Sequence, residues 1–505
     1  MSVINSNISA LKAQSSSVQN ARKLDTAMER LSTGLRINSA KDDAAGLAIS
    51  TKMTAQINGL NQAIRNANDG LSMVNTIEGS LTQTTNVLQR MRELSVQSAN
   101  DSNSVEDRQF IQAEIVQMQN ELDRISSQSR YNGTKVLDGG FTNKQLQIGA
   151  GAGETIAFNV DSAASADIGV YSTRQGQIGT ITASTIAPSS TVISDTITVS
   201  GFIGDADISV ESLDDAYTVA AAVNDEYANT GVTADATTKA MIGGLSDAGT
   251  VTFDLTGKND TAVTISATIT DVNDLTDLAS AFNLQSATTG ITATLSSDKT
   301  QLLLTSEDGY NIGLADYTNT SSGATITVQG MEGDATADDA GITTTANGFE
   351  AVTTLTDQGS DSTTVVGDVV FSSTKAFTVD ASAGVNSTTG FVGTTASAAV
   401  LEAVSDVDAS TAAGAATAIR ILDGAIAKVS TMRSDLGSIA SRLEKTVDAL
   451  TASSTNTSAA RSRIMDADYA TETTALSRAQ IISQASTAML AQANQQTSLV
   501  LKLLQ

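Results

Sequence analysis

The sequence predicts an α+β multidomain chain: N- and C-terminal helices pair into a coiled-coil rod, and a β-rich α+β outer domain is inserted between them. Three observations carry that expectation. Apolar or small residues recur four and three apart over Met53, Ile57, Leu60, Ile64, Ala67, Leu71 and Val74, and the rhythm resumes at Leu81 and Leu88. Near the other end the same spacing gives Leu422, Ile426, Val429, Leu436, Ala440, Leu443, Val447 and Leu450. Heptad seams so far apart pair only if the chain runs out and comes back. Charge divides the chain at the same places. Residues 1–150 carry 15 basic and 14 acidic side chains and residues 401–505 carry 9 and 10, whereas 151–400 holds 5 basic against 31 acidic. The whole net charge of −26 therefore lies in the middle. Near-neutral ends suit close packing, and an acidic middle keeps copies apart in solution and argues against nucleic acid as a partner.

The expected division is 1–40 with 464–505 as terminal helices, 41–175 with 405–455 as the rod and its β-hairpin top, and 176–404 as a variable β-rich domain. The first helix, about Ile8 to Leu31, has a lean face of Ile8, Leu11, Ser15, Val18, Leu24, Met28 and Leu31, and Gly34 ends the pattern. Ser39 followed by Asp42 fits a capping box for a helix from about Lys41 to Ser98. Asp42 and Asp43 also suit intersubunit ion pairs with Arg36 or Lys41, although capping alone explains them. Gly59, Gly70 and Gly79 each cost that helix on the order of 1 kcal/mol against Ala, so neighbouring helices must support it. Ser104 and Asp107 repeat the capping pattern before Ile111, Ile115, Met118, Leu122 and Ile125. Asn132-Gly133 and Asp138-Gly139 are strong turn signals, and alternation at Leu146 and Ile148 marks the change to strands.

Between about 175 and 400, runs such as TITVSG and QLLLTSEDG read as strands with Gly and Asp turns. LDDAYTVAAAVNDEYANTGVTA from Leu213 matches VNDLTDLASAFNLQSATTGITA from Val272 at a constant offset, Gly231 answering to Gly290. A duplicated α+β module covering about 195–250 and 250–315 is the expected cause. The helix pattern returns near Ala415 and runs to Leu450. After SSTNTS a second helix is expected from Ala467 to Leu504, with Ala475, Ala479, Ile482, Ser486, Met489, Ala493, Gln496, Val500 and Leu503 on its face. Both terminal helices bury little apolar area, against an ordering cost of roughly 1–2 kcal/mol per residue. Alone they are marginal; among copies of themselves they have a reason to fold.

Composition narrows the chemistry. The chain has no His, Cys or Trp and one proline, Pro188. Thiol, haem and His-based zinc sites lack ligands, and no P-loop, nucleophile elbow or EF-hand loop is present. No catalytic, metal or cofactor residue is expected. The start, MSVINSNISALKAQ, lacks the pattern of a secretory signal, and no stretch approaches the ~18 apolar residues of a membrane span.

The termini resemble bacterial flagellin. The residues that carry the likeness are INSNISALKAQ, LSTGLRINSAKDDAAGLAIS, ANDGLSMVNTIEGSL and LQRMRELSVQSAN at one end, and SRIMDADYATETTALSRAQI and AMLAQANQ at the other. ITATLSSDKTQLLLTSEDGYNIGL, from Ile291, is similar to a motif of flagellin outer domains. The resemblance implies a filament subunit whose Met1–Leu35 and Ile464–Gln505 form an inner layer, with Lys41–Asn132 and Ala415–Thr451 outside it. It implies a homopolymer in the extracellular flagellum, exported unfolded through a type III channel without a cleaved signal and folding its ends on assembly. Its implied partners are an export chaperone, the type III apparatus, the filament cap and the junction proteins. Gln89, Arg90, Glu93, Leu94, Gln97 and Glu114 match positions contacted by the flagellin-sensing Toll-like receptor; a solvated face or an intersubunit contact is the plainer reading. Met465 and QQTSLVLKLLQ depart from the family pattern and leave the C-terminal contacts and chaperone binding open. The Ser/Thr-rich middle suits O-glycosylation and solvated β-loops equally. A hook–filament junction protein shares the terminal helices, but SRIMDADYA and SRAQI favour flagellin. The peptidases that some flagellins carry need an H-E-x-x-H motif, which a chain without His lacks, and an adhesin or surface-layer protein would use a conventional export signal or anchor.

Overall fold

The computed structural model describes residues 7–100, 102–175, 195–211, 214–259, 261–331, 352–357, 361–381 and 397–503, with side chains as far as 495. Nine α-helices are present among them: α1 (Ile8–Thr33), α2 (Ala44–Ser98), α3 (Val105–Gln128), α4 (Ala216–Asp225), α5 (Tyr227–Thr230), α6 (Thr276–Leu284), α7 (Ser286–Thr289), α8 (Ala412–Met465) and α9 (Tyr469–Leu503). N- and C-terminal helices pair, and the β-rich domain is inserted between them. The chain divides into two compact units, one of 1–75, 143–159 and 436–505 and the other of 76–142 and 160–435.

In the first unit α1 ends at Gly34, whose φ of 70° is the left-handed conformation that suits a helix C-cap. The start of α2 differs from the expected capping box. Asp42 closes the preceding turn, accepting from the backbone N–H of Asn38 and of Ser39, and Asp43 accepts from the Gly46 N–H at 2.9 Å as the cap. Ile57, Leu60, Ala63, Ala67 and Val74 of α2 are buried, as are Leu436 and Leu443 of α8. The hairpin of Lys144–Gln147 and Thr155–Phe158 lies on α2, where the Asn66 amide donates to the Gln147 carbonyl at 2.9 Å. That approach accounts for two glycines. A Cβ on Gly59 would sit 2.9 Å from the Ala150 Cβ, and one on Gly70 would sit 2.5 Å from a Leu146 methyl.

The expected break at SSTNTS is absent: α8 runs through it to Met465. Ser and Thr are only modestly poor helix formers, and no Gly or Pro interrupts the segment. Ser454 donates to the Asn61 side chain at 3.0 Å and Arg461 to Thr54 at 3.3 Å, so the polar stretch is also a contact face. The chain turns instead at Asp468, which caps α9 by accepting from the N–H groups of Ala470 and Thr471.

In the second unit Ile77, Leu81, Leu88 and Met91 of α2, Ile111, Ile115 and Leu122 of α3, and Leu422 and Val429 of α8 are buried. Arg92 pairs with Asp423 at 2.6 Å and Arg433 with Glu78 at 2.7 Å. α3 begins with the full capping box of Ser104 and Asp107. Asn132 and Gly133, both at positive φ, close the short hairpin of Arg130–Tyr131 and Thr134–Lys135.

Among the described residues the inserted domain holds three sheets. Its central strand, Thr233–Gly243, pairs antiparallel with Gln301–Ser306, Thr325–Met331 and Asp368–Ser373. One core gathers about Phe253, Phe282 and Tyr317, and a second about Val219, Val369 and Phe371. The outgoing strand Gly169–Gln175 and the returning strand Val400–Ala403 are hydrogen-bonded neighbours, Val170 opposite Glu402. Two similar local contacts fall within the segments whose sequences match. Asn224 grips both backbone groups of Ala234, donating at 2.8 Å and accepting at 2.9 Å; Asn283 does the same to Ala293 at 2.8 Å each way. Gly231 and Gly290 adopt φ of 73° and 70° at matching turns.

Candidate assembly and recognition surfaces

The terminal helices are tied together mainly by polar groups. Their contacts run antiparallel: the Asn7 amide donates to the Ala493 carbonyl at 3.0 Å, Asn20 to Ala479 at 2.7 Å, and Arg30 pairs with Glu472 at 3.0 Å. Around the turn, the Arg36 N–H donates to the Met465 carbonyl and the Arg36 guanidinium to that of Ile464, while Ala467 N–H donates to Gly34. Arg36 is thereby engaged with carbonyls rather than with Asp42 or Asp43.

Apolar burial along this pair is slight. Asn20, Ala27 and Ala479 are its buried side chains among the described residues of α1 and α9. Ile8 is 52% exposed, Leu11 60%, Val18 49%, Met28 54% and Met489 63%. Ile482 is exposed as well, and Leu24 and Leu31 are half-buried. Full burial of such a side chain stabilises by about 1.5–3 kcal/mol, most of which a single chain leaves unrealised here. Val500 and Leu503 have side chains outside the described residues. The seam of α2 and α8 differs: Ile57, Leu60, Val74, Leu422, Val429, Leu436 and Leu443 are buried, and Met53, Ile64, Leu71, Ile426 and Leu450 half-buried.

A second surface lies on α2 and α3. Gln89, Arg90, Glu93 and Gln97 fall one, three and four residues apart and are exposed, as is Glu114 on α3. Arg90 reaches Glu93 at 3.1 Å and Glu114 at 3.2 Å, and the hydrogen bonds it donates to these two carboxylates raise its pKa. Leu94 does not belong to this face. It is 2% exposed, between Met91 and Ser95, which are buried as well. Phe110, 75% exposed on α3, lies beside this part of the chain's core pattern but outside it, one residue before buried Ile111. A lone aromatic next to the four-three stripe was the available signal, and the stripe reading passes over it.

Among the described residues no group of three or more acidic side chains is placed to hold a metal ion, and no helix is long and apolar enough to cross a membrane. What the geometry offers is apolar and amide surface for packing against further protein. The class is a self-assembling structural subunit.

Two family models match the chain, the bacterial flagellin N-terminal helical region over residues 4–142 and the bacterial flagellin C-terminal helical region over 419–504. The B-type flagellin of Pseudomonas aeruginosa is 39% identical over 504 residues, covering 99% of both chains. A flagellin of Salmonella typhimurium is 36% identical and flagellin B of Vibrio cholerae 32%, each again covering 99% of both chains. The chain belongs to the bacterial flagellins: it is a non-enzymatic structural subunit that polymerises with itself into the extracellular flagellar filament and serves motility.

Proposed function

We propose that this flagellin is exported unfolded through the flagellar type III apparatus and completes the packing of α1 and α9 only when copies surround them. The observation that carries this reading is the exposed seam of Ile8, Leu11, Val18, Met28 and Met489, set beside a terminal pairing held by side-chain amides and one ion pair. Assembly then couples folding to binding: ordering cost is met at the moment neighbours arrive, which keeps the free monomer from polymerising early. An export chaperone would cover the same apolar surface before export, and the filament cap and junction proteins would present it with its first neighbours. Seeded polymerisation of the full chain beside a version lacking Met1–Leu35, viewed by electron microscopy, tests the coupling. Filaments from the full chain alone support it; filaments from both would show the terminal helix to be dispensable.

The α2–α3 face supports a second role for the free monomer, recognition by the flagellin-sensing Toll-like receptor. Gln89, Arg90, Glu93, Gln97 and Glu114 offer a polar, ion-paired surface with Arg90 at its centre. Leu94 would act here only by holding α2 in place. Reporter cells exposed to purified monomer should respond less to Arg90→Ala with Glu114→Ala than to the unaltered chain. An unchanged response would remove this role.

A further inference from the structure

Tyr217 at the start of α4 and Tyr310 in the turn after Gln301–Ser306 stack with ring centroids 4.6 Å apart and planes tilted by 21°. They lie far apart in sequence. The backbone holds them there: the Tyr217 N–H donates to the Gly309 carbonyl at 3.2 Å. Gly309 has a φ of 84°, and a Cβ on it would lie 2.4 Å from the Ala236 Cβ, so this turn is fixed from both sides. Lys258 stands 5.8 Å from the Tyr310 ring centre and 3.7 Å from Asp308. Tyr217 is 44% exposed, which admits a small diffusing oxidant or the edge of a peroxidase.

The composition adds a chemical reason. With no Cys, Trp or His, tyrosine is the side chain from which a one-electron oxidant most readily takes an electron. The methionines instead take up oxygen in two-electron steps. Exposure alone would direct oxidation elsewhere, since Tyr227 is 53% and Tyr469 72% exposed, while Tyr317 is sealed beside Phe253.

We propose that Tyr217 and Tyr310 form an oxidative cross-linking site, at which peroxide-driven one-electron oxidation joins the two rings. Each phenol gives up one electron and its hydroxyl proton to become a phenoxyl radical. The radicals couple through ring carbons ortho to oxygen, and the two displaced ring protons return to the oxygens as the rings regain aromaticity. Hydrogen peroxide accepts both electrons and both protons and leaves as two waters. The product is a covalent staple between the start of α4 and the turn after Gln301–Ser306, formed as the two side chains rotate into bonding distance.

The test treats purified full-length chain with a haem peroxidase and hydrogen peroxide across a dilution series, reading dityrosine fluorescence and mapping linked peptides by mass. Expected is one Tyr217–Tyr310 peptide, lighter by two hydrogens, with a yield independent of chain concentration. Pre-orientation should favour it over products between chains by more than ~100-fold in dilute solution. Tyr217→Phe and Tyr310→Phe keep the rings, and so the fold by circular dichroism, and each should abolish the product; Tyr227→Phe should not. Cross-links through Tyr227 or Tyr469, a yield that falls with dilution, a product that survives either Phe variant, or no dityrosine at all would each overturn the assignment.

Discussion

The α1–α9 pair and the α2–α3–α8 core use the same four-three spacing and reach opposite ends. In the core, Leu81, Leu88, Met91, Ile115 and Leu122 are wholly buried by the chain's own helices. In the terminal pair, Leu11 and Met489 remain more than half exposed. Spacing decides which face of a helix is apolar; the number of neighbouring helices decides how much of that face the chain can bury. One seam is closed within the chain, and the other leaves its apolar side chains exposed.

Substitution should separate the two seams most sharply. Leu88→Ala is expected to cost the monomer about 2–5 kcal/mol in urea unfolding, as a cavity in a closed core does. Leu11→Ala should leave that transition in place and instead block seeded growth. A smaller effect should test the repeat. Removing Asn224 or Asn283 orphans two backbone partners, so either Ala variant is expected to lose about 1–3 kcal/mol of outer-domain stability by calorimetry. Similar losses would mark the clamps as equivalent; a loss from one alone would break the symmetry.

Acid should act next, and mildly. Backbone hydrogen bonds from Ser39 and Asn38 lower the pKa of Asp42, and the Ser104 side chain and N–H lower that of Asp107. A lowered folded pKa means stabilisation that is present above the ordinary carboxylate value of about 3.9 and lost as pH falls through the folded value. Hydrogen exchange near the starts of α2 and α3 should therefore quicken below that range, and Asp107→Asn should remove the dependence at α3. The smallest expected effect is that of Arg90→Ala on melting. Its two ion pairs are exposed, so the midpoint should stay within error and any loss of receptor response would report contact rather than unfolding.

Local signals were the legible part of the sequence. The capping box at Ser104 and Asp107, the Asn132-Gly133 hairpin and the seams at Ile57, Leu60 and Leu436 depend on residues a few positions apart. Asp43 rather than Ser39 caps α2 because Asp42 is taken up by the preceding turn, a competition that spacing does not rank. SSTNTS reads as a break until Asn61 of another helix supplies Ser454 with a partner. Leu94 is buried although Glu93 beside it is exposed, a difference that a list of neighbouring positions does not rank. The outer sheets were least legible, since Thr233–Gly243 pairs with Asp368–Ser373 across a long stretch of chain. The offset between the repeats was visible, and the Asn clamps at Asn224 and Asn283 lie within it, but an asparagine on a short helix carries no sign of what it grips.

The pairing of Gly169–Gln175 with Val400–Ala403 has a practical meaning for redesign. The chain leaves for its long insertion and returns from it on adjacent strands, spaced by the ~5 Å of a single β-ladder. Whatever is spliced in after this pair must present its two ends side by side, a condition that many compact domains meet, and must also cover the edge of Gly169–Gln175 that Asp368–Ser373 now pairs. The ladder is thus a socket for grafted cargo, to be displayed in as many copies as the polymer has subunits.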